Sequence, residues 1–147
     1  MNIDTPPPAS LLEVHETQNP GFNLLLDSDQ WRVALLNFEP DLAPERLSEF
    51  QRHDESDEVF VLLSGRCILF LGDGQGSITQ VFAQDLLPFK LYSVRRRAWH
   101  THALSAGARL LIVENRNTSR ANSPRIEMTP AQRAEIVCLA RQRLGEP

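Results

Sequence analysis

Basic residues are in deficit in this sequence: 15 Lys and Arg against 19 Asp and Glu leave a net charge of −4. Nothing in that total draws in phosphates, so neither a nucleic-acid binder nor a membrane-surface binder is expected. Long apolar runs are missing too. None exceeds five residues, as in Val59 to Leu63, far short of the roughly 20 that cross a bilayer. Cysteine is scarce: Cys67 and Cys138 stand far apart and form no spaced ligand or disulfide set. The first residues, Met1 to Thr5, carry no basic flank and no apolar stretch, so no secretory leader is read there and a cytoplasmic protein with reduced thiols is expected. His15 and the two cysteines have no partners by spacing and are read as structural.

What remains is ordinary globular composition over 147 residues, the commonest size for one domain. A chain this long buries roughly two-thirds of its unfolded surface and needs no metal or disulfide to fold. One domain over residues 1–147 is expected. Pro6-Pro7-Pro8 makes residues 1–10 an extended arm. Short apolar runs separated by turn residues follow. Strands are expected at Leu11–Val14, Phe22–Leu26, Trp31–Phe38, Glu58–Leu63, Arg66–Leu71, Ser77–Ala83, Lys90–Val94, Trp99–Leu104 and Arg109–Val113. Asp27-Ser28-Asp29, Ser64-Gly65 and Gly72–Gly76 turn between them. Asp41–Glu49, with a proline and mixed polarity, reads as a loop with room for one helical turn. No helical pattern alternates with the strands, so the fold is expected to be all-β, a sandwich or barrel over about residues 20–115. Thr129-Pro130-Ala131-Gln132 has the form of a capping box with proline at the first helical position. Ile136, Val137, Ala140 and Leu144 share a face, and Gly145 suits the C-cap. A helix over 129–144 laid outside the barrel is expected.

The stretch richest in chemistry is Gln51-Arg52-His53-Asp54-Glu55-Ser56-Asp57-Glu58, running through Val59–Leu63 into Ser64-Gly65. It resembles the first motif of the cupins, Gly-x5-His-x-His, three or four residues, Glu, six residues, Gly. His53, Glu58 and Gly65 fit that spacing, while Gln51 stands at the first histidine and Glu45 at the leading glycine. The second cupin motif, Gly-x5-Pro-x-Gly-x2-His-x3-Asn, places its histidine on His100. There Phe89, Arg95, Arg97 and Leu104 replace the Gly, Pro, Gly and Asn.

The resemblance implies an antiparallel jelly-roll barrel in which His53, Glu58 and His100 converge on one divalent metal. Two imidazoles and a carboxylate leave coordination positions open and suit iron(II), manganese, nickel or zinc. Gln51, a weak neutral oxygen donor where the family has imidazole, is the fourth member of that set and lowers the expected affinity. His102 follows His100 by two residues, so both point to the same face of one strand. It is the candidate to replace the missing nitrogen, or to serve as general base. Arg95-Arg96-Arg97 is a solvated surface cluster unless it borders the barrel mouth, where it would draw in an anion.

For each residue a plainer role competes: a loop histidine in an acidic run for His53, a surface carboxylate for Glu58, a core histidine for His100, pocket lining for His102. Three functions follow from the resemblance. The first is a metal-dependent oxygenase, isomerase or lyase acting on a small polar molecule held in the barrel. The second is a module that binds or senses a small ligand without catalysis. The third is a structural dimer with a degenerate site. Because small jelly rolls expose a sheet edge, a homodimer is expected, with Leu11–Val14 pairing as an outer strand.

Overall fold

The structure, a computed structural model, describes residues 5–74 and 76–145. Ten strands make two antiparallel sheets. One sheet holds β1 (Gly21–Asp27), β2 (Trp31–Asn37), β9 (Arg109–Asn115), β4 (Glu58–Ser64) and β7 (Leu91–Val94), in that spatial order. The other holds β10 (Arg125–Glu127), β3 (Glu49–Gln51), β8 (Trp99–Leu104), β5 (Cys67–Asp73) and β6 (Gln80–Asp85). The sheets pack face to face in the manner of a jelly roll, as the all-β expectation had it.

Strand parity explains the packing. Alternate residues of β5 point to opposite faces: Cys67 and Leu69 turn into the space between the sheets, whereas Ile68 and Phe70 turn outward. The outward set is covered by α1 (Pro130–Leu144), which buries Ile136, Ala140 and Leu144 against it. The helix begins as expected. Thr129 Oγ1 accepts from the Gln132 amide at 3.2 Å, and Gln132 Oε1 accepts from the Thr129 amide at 3.0 Å. Gly145 ends it in the left-handed conformation, φ 73°.

Three features differ from expectation. Leu11–Val14 is not a strand, and Leu11 and Val14 are exposed. Among the described residues no strand lies alongside it, and the Leu11 and Leu12 amides donate instead to the Pro8 carbonyl in a local turn. Among the described residues, the segment before β1 is hydrogen-bonded to the barrel through the carbonyls of Thr17, Asn19 and Pro20, which accept from Arg109, Asn37 and Asn23. The Asp41–Glu49 loop holds two short 3-10 turns, Pro40–Leu42 and Pro44–Arg46. Finally, β3 and β10, three residues each, have no signature of their own. They exist because Arg125, Ile126 and Glu127 meet Gln51, Phe50 and Glu49 in register.

Candidate metal centre

Register between strands arranges the barrel interior in layers. At one end Arg32, Glu114 and Glu58 lie side by side across β2, β9 and β4. Opposite them Gln51, His100 and Leu71 lie side by side across β3, β8 and β5. One step deeper come Ala34, Ile112 and Phe60, facing His102 and Leu69. Deeper still are Leu36, Leu110 and Leu62, facing Leu104 and Cys67.

His53 reaches the first layer from a loop held on three sides. Its carbonyl accepts from the Arg97 amide at 2.8 Å, the Arg52 amide donates to Pro124, and the Asp54 amide donates to Asn122. The acidic run around it is tied down as well. Asp54 meets Arg52, Glu55 accepts from Asn117, and Asp57 accepts from the Arg96 amide and pairs with Arg95.

His53, Glu58 and His100 come together, all buried, with one ligand atom from each within 4.8 Å of the others. Glu58 Oε2 lies 3.0 Å from His53 Nε2 and 2.9 Å from His100 Nε2. The far ring nitrogens are fixed from behind. His100 Nδ1 donates to the Ala98 carbonyl at 3.0 Å, and His53 Nδ1 meets Ser123 Oγ at 2.7 Å. A carbonyl only accepts, so Nδ1 of a neutral His100 carries the proton and Nε2 presents a lone pair. That buried nitrogen has no hydrogen-bond partner despite its closeness to Glu58. It lies 2.9 Å from Glu58 Oε2 without hydrogen-bonding geometry.

Electrostatics agree. Burial alone would raise the Glu58 carboxyl, but contacts with His100 and His53 outweigh it and hold the group down at about 2. Burial would lower His53, yet the Glu58 contact and the charges of Glu58 and Glu114 raise it above its usual value. The cluster is a carboxylate between two imidazoles, a set of groups that could hold a cation.

Neither glycine of the second motif is present, yet its backbone is. Phe89 and Arg97, standing in the two glycine positions, are the non-glycine residues with left-handed φ among the described residues, at 60° and 68°. In the first motif Gly65 has φ 73°, and a Cβ there would lie 2.6 Å from Ala108 Cα.

Gln51 borders the centre, half-buried, beside His100 on the next strand. His102 faces inward like His100, with its ring centroid 5.7 Å from that of Phe60. It lies outside the three-residue cluster. Two residues along a strand is a step of about 6.6 Å, which carries His102 into the second layer. The expectation that it supplies the nitrogen missing at Gln51 therefore meets a geometric obstacle. Both of its ring nitrogens are buried without partners, and burial, opposed by the Glu58 charge and aided by His100, lowers its pKa to about 4. Arg95, Arg96 and Arg97 are exposed and do not line the cavity over the centre.

Sequence reasoning missed Glu114 and Arg32. Glu114 is 6% exposed and lies beside Glu58 in register. Its Oε1 accepts from Arg32 Nε at 2.8 Å and Nη2 at 2.6 Å, while Oε2 lies 4.0 Å from His53 Nε2. Burial and the Glu58 charge raise its carboxyl above the ordinary range, against the pull of Arg32 and His53. The available signal was parity: Glu114 ends an inward-facing series through Leu110 and Ile112.

No family model matches the sequence, and no curated protein matches it. Solved structures do resemble the fold. The protein BH2720 of Bacillus halodurans matches at a TM-score of 0.52 with 15% identity, over 69% of this chain and 75% of that one. A mutant of the Bacillus subtilis oxalate decarboxylase OxdC matches at 0.54 with 15% identity over 76% of this chain, which spans only 30% of that enzyme's length. Streptomyces Pac13, described as a nucleoside dehydratase and solved with uridine, matches at 0.55 with 13% identity, over 82% of this chain and 88% of that one. These likenesses, with the two-sheet architecture, give the chain the cupin fold.

Proposed function

We propose that this chain is a metal-dependent enzyme of the oxygenase, isomerase or lyase kind, acting on a small polar molecule in the barrel. His53, Glu58 and His100 hold a divalent ion, iron, manganese, nickel or zinc. The observation that carries this is His100 Nε2, a buried ring nitrogen without a hydrogen-bond partner, 2.9 Å from a carboxylate. His53, Glu58 and His100 would together hold such an ion, which would supply a Lewis acid or an oxygen-binding position when bound. The chain's own groups do the rest. Ser123 and the Ala98 carbonyl orient the imidazoles, and Gln51, next to His100 on the adjacent strand, would offer a bound ion a weak oxygen donor. Glu114, restrained by Arg32 through one oxygen, keeps the other turned toward the centre. His102, neutral and unpartnered one layer deeper, is the candidate proton acceptor. Two similar folds carry names of the lyase kind, a decarboxylase and a dehydratase, which favours that branch.

Elemental analysis of protein purified without an affinity tag tests the proposal. About one divalent ion per chain is expected, with Glu58→Gln and His100→Ala losing it while remaining folded. A folded parent that takes up no iron, manganese, nickel or zinc would leave the second reading, a binding module with no metal.

We also propose a homodimer. Strand β1 is a free sheet edge, and Phe22, Leu24 and the neighbouring Trp31 are each more than two-fifths exposed there. Light scattering at micromolar concentration should give twice the chain mass.

A further inference from the structure

Over the metal centre lies a cavity of about 330 Å³ with His53 and Glu58 in its wall. Its charge runs against that of the whole chain. The protein carries −4, yet Arg32, Arg120 and Arg125 line this cavity against two carboxylates, Glu58 and Glu114. A divalent ion at the centre would add two further positive charges. The three arginines are not equally free. Arg32 is committed to Glu114, and Arg125 pairs with Glu49 at the surface. Arg120, in the 3-10 turn Arg120–Asn122, has no ion pair among the described residues.

A second, independent observation comes from Thr118. It lines the same cavity, is 6% exposed, and its hydroxyl has no hydrogen-bond partner in the protein. A buried, unsatisfied hydroxyl costs on the order of 1–3 kcal/mol, a cost that a bound acceptor removes. An acceptor in a cavity that Arg120 and Arg125 also line, where arginines outnumber carboxylates, is best matched by an oxyanion. At this volume the cavity is at the small end of ligand pockets.

We propose that this cavity recognises a small molecule by a carboxylate or phosphate group, held by Arg120, Arg125 and Thr118, with the rest of the molecule directed at His53 and Glu58. The inference rests on the proposed function, naming the substrate class of the same site. It also replaces Arg95–Arg97 as the source of anion attraction. That cluster is exposed and partly engaged with Asp57, and it does not reach the cavity.

The test titrates malonate and inorganic phosphate calorimetrically into the full chain at low ionic strength, once loaded with manganese and once stripped by chelator. Saturable binding is expected in both forms, tighter in the loaded one, and the stronger of the two probes identifies the group. Arg120→Gln and Arg125→Gln should each weaken binding tenfold or more and Thr118→Val several-fold, while Arg95→Gln should match the parent. Should Arg125→Gln unfold through loss of its Glu49 contact, Arg120→Gln, on an exposed turn, carries the test. Affinity in Arg120→Gln equal to the parent, equal losses in Arg95→Gln, or no binding of either probe would overturn the inference. Binding that vanishes on stripping and ignores the arginines would overturn it too, while leaving the metal proposal standing. Arg120-dependent binding in a chain that takes up no metal would sustain the inference and sink that proposal.

Discussion

Strands β4, β9 and β8 each run the length of the barrel interior, and the inward side chains change along them. β4 presents Glu58, then Phe60, then Leu62, and β9 presents Glu114, Ile112 and Leu110. β8 presents His100, His102 and Leu104. At the deep end Leu62, Leu104 and Leu110 are 1%, 0% and 0% exposed in one apolar cluster. At the other end three buried polar groups, His53, Glu58 and His100, bring one ligand atom each within 4.8 Å of the others. The same backbone carries both. The apolar end supplies the burial that stabilises the fold, and the polar end uses that rigidity to hold like and unlike charges where they would not settle alone.

The largest effect expected from breaking the comparison lies at the apolar end. Leu110→Ala should cost about 2–5 kcal/mol in chemical denaturation, as deletions in a close-packed core do, and metal content per folded chain should stay at the parent value. A Leu110→Ala protein as stable as the parent would mean that the deep layer is not the core. At the polar end Ser123→Ala should do the reverse. Loss of the contact behind His53 should weaken metal binding about 10- to 100-fold with only a small change in stability, read by competition against a chelator.

The middle layer sharpens the boundary. His102 sits among Phe60 and Leu69 with both nitrogens unsatisfied, so His102→Leu should stabilise the metal-free protein by about 1 kcal/mol and leave metal affinity unchanged. The pH dependence carries the sign. The folded His102 pKa, about 4, lies below the usual 6.5, so the unfolded chain takes the proton first. The parent should lose stability as pH falls from about 6.5 to 4, and His102→Leu should lack that component. Glu58, depressed from 4.5 to about 2, contributes stability above its unfolded value that both proteins lose as pH falls through that lower range. Identical pH profiles in the two proteins would place His102 in a hydrogen-bonded setting instead. The smallest effect is expected from Gln51→His. An imidazole beside His100 should tighten metal binding by about tenfold, imidazole being a better ligand than an amide for these ions. No change would put residue 51 outside the coordination sphere.

Much was legible because it is local. Period-two alternation marked most of the strands, the Thr129–Gln132 box and Gly145 bounded the helix, and the spacing of His53, Glu58 and Gly65 pointed to the metal centre. All of these are consequences of chain geometry within a few residues. Three-residue strands such as β3 and β10 lack a pattern long enough to read, and the Leu11–Val14 run lacks the partner that would make it a strand.

The sequence by itself determined the all-β architecture, the closing helix and which side chains share a face, since parity and capping depend only on neighbours along the chain. Tertiary structure alone decided depth and company. Cross-strand register set Glu114 beside Glu58 and Arg32 beside Glu114, and it set His102 beside Leu69, one layer from the His53, Glu58 and His100 cluster. The turn after β9 brought Thr118, Arg120 and Ser123 over His53 and Glu58, with Ser123 meeting His53 across 70 residues of chain. Parity says which way a side chain points. How far along the barrel it points, and what it meets there, is fixed only when the strands pair.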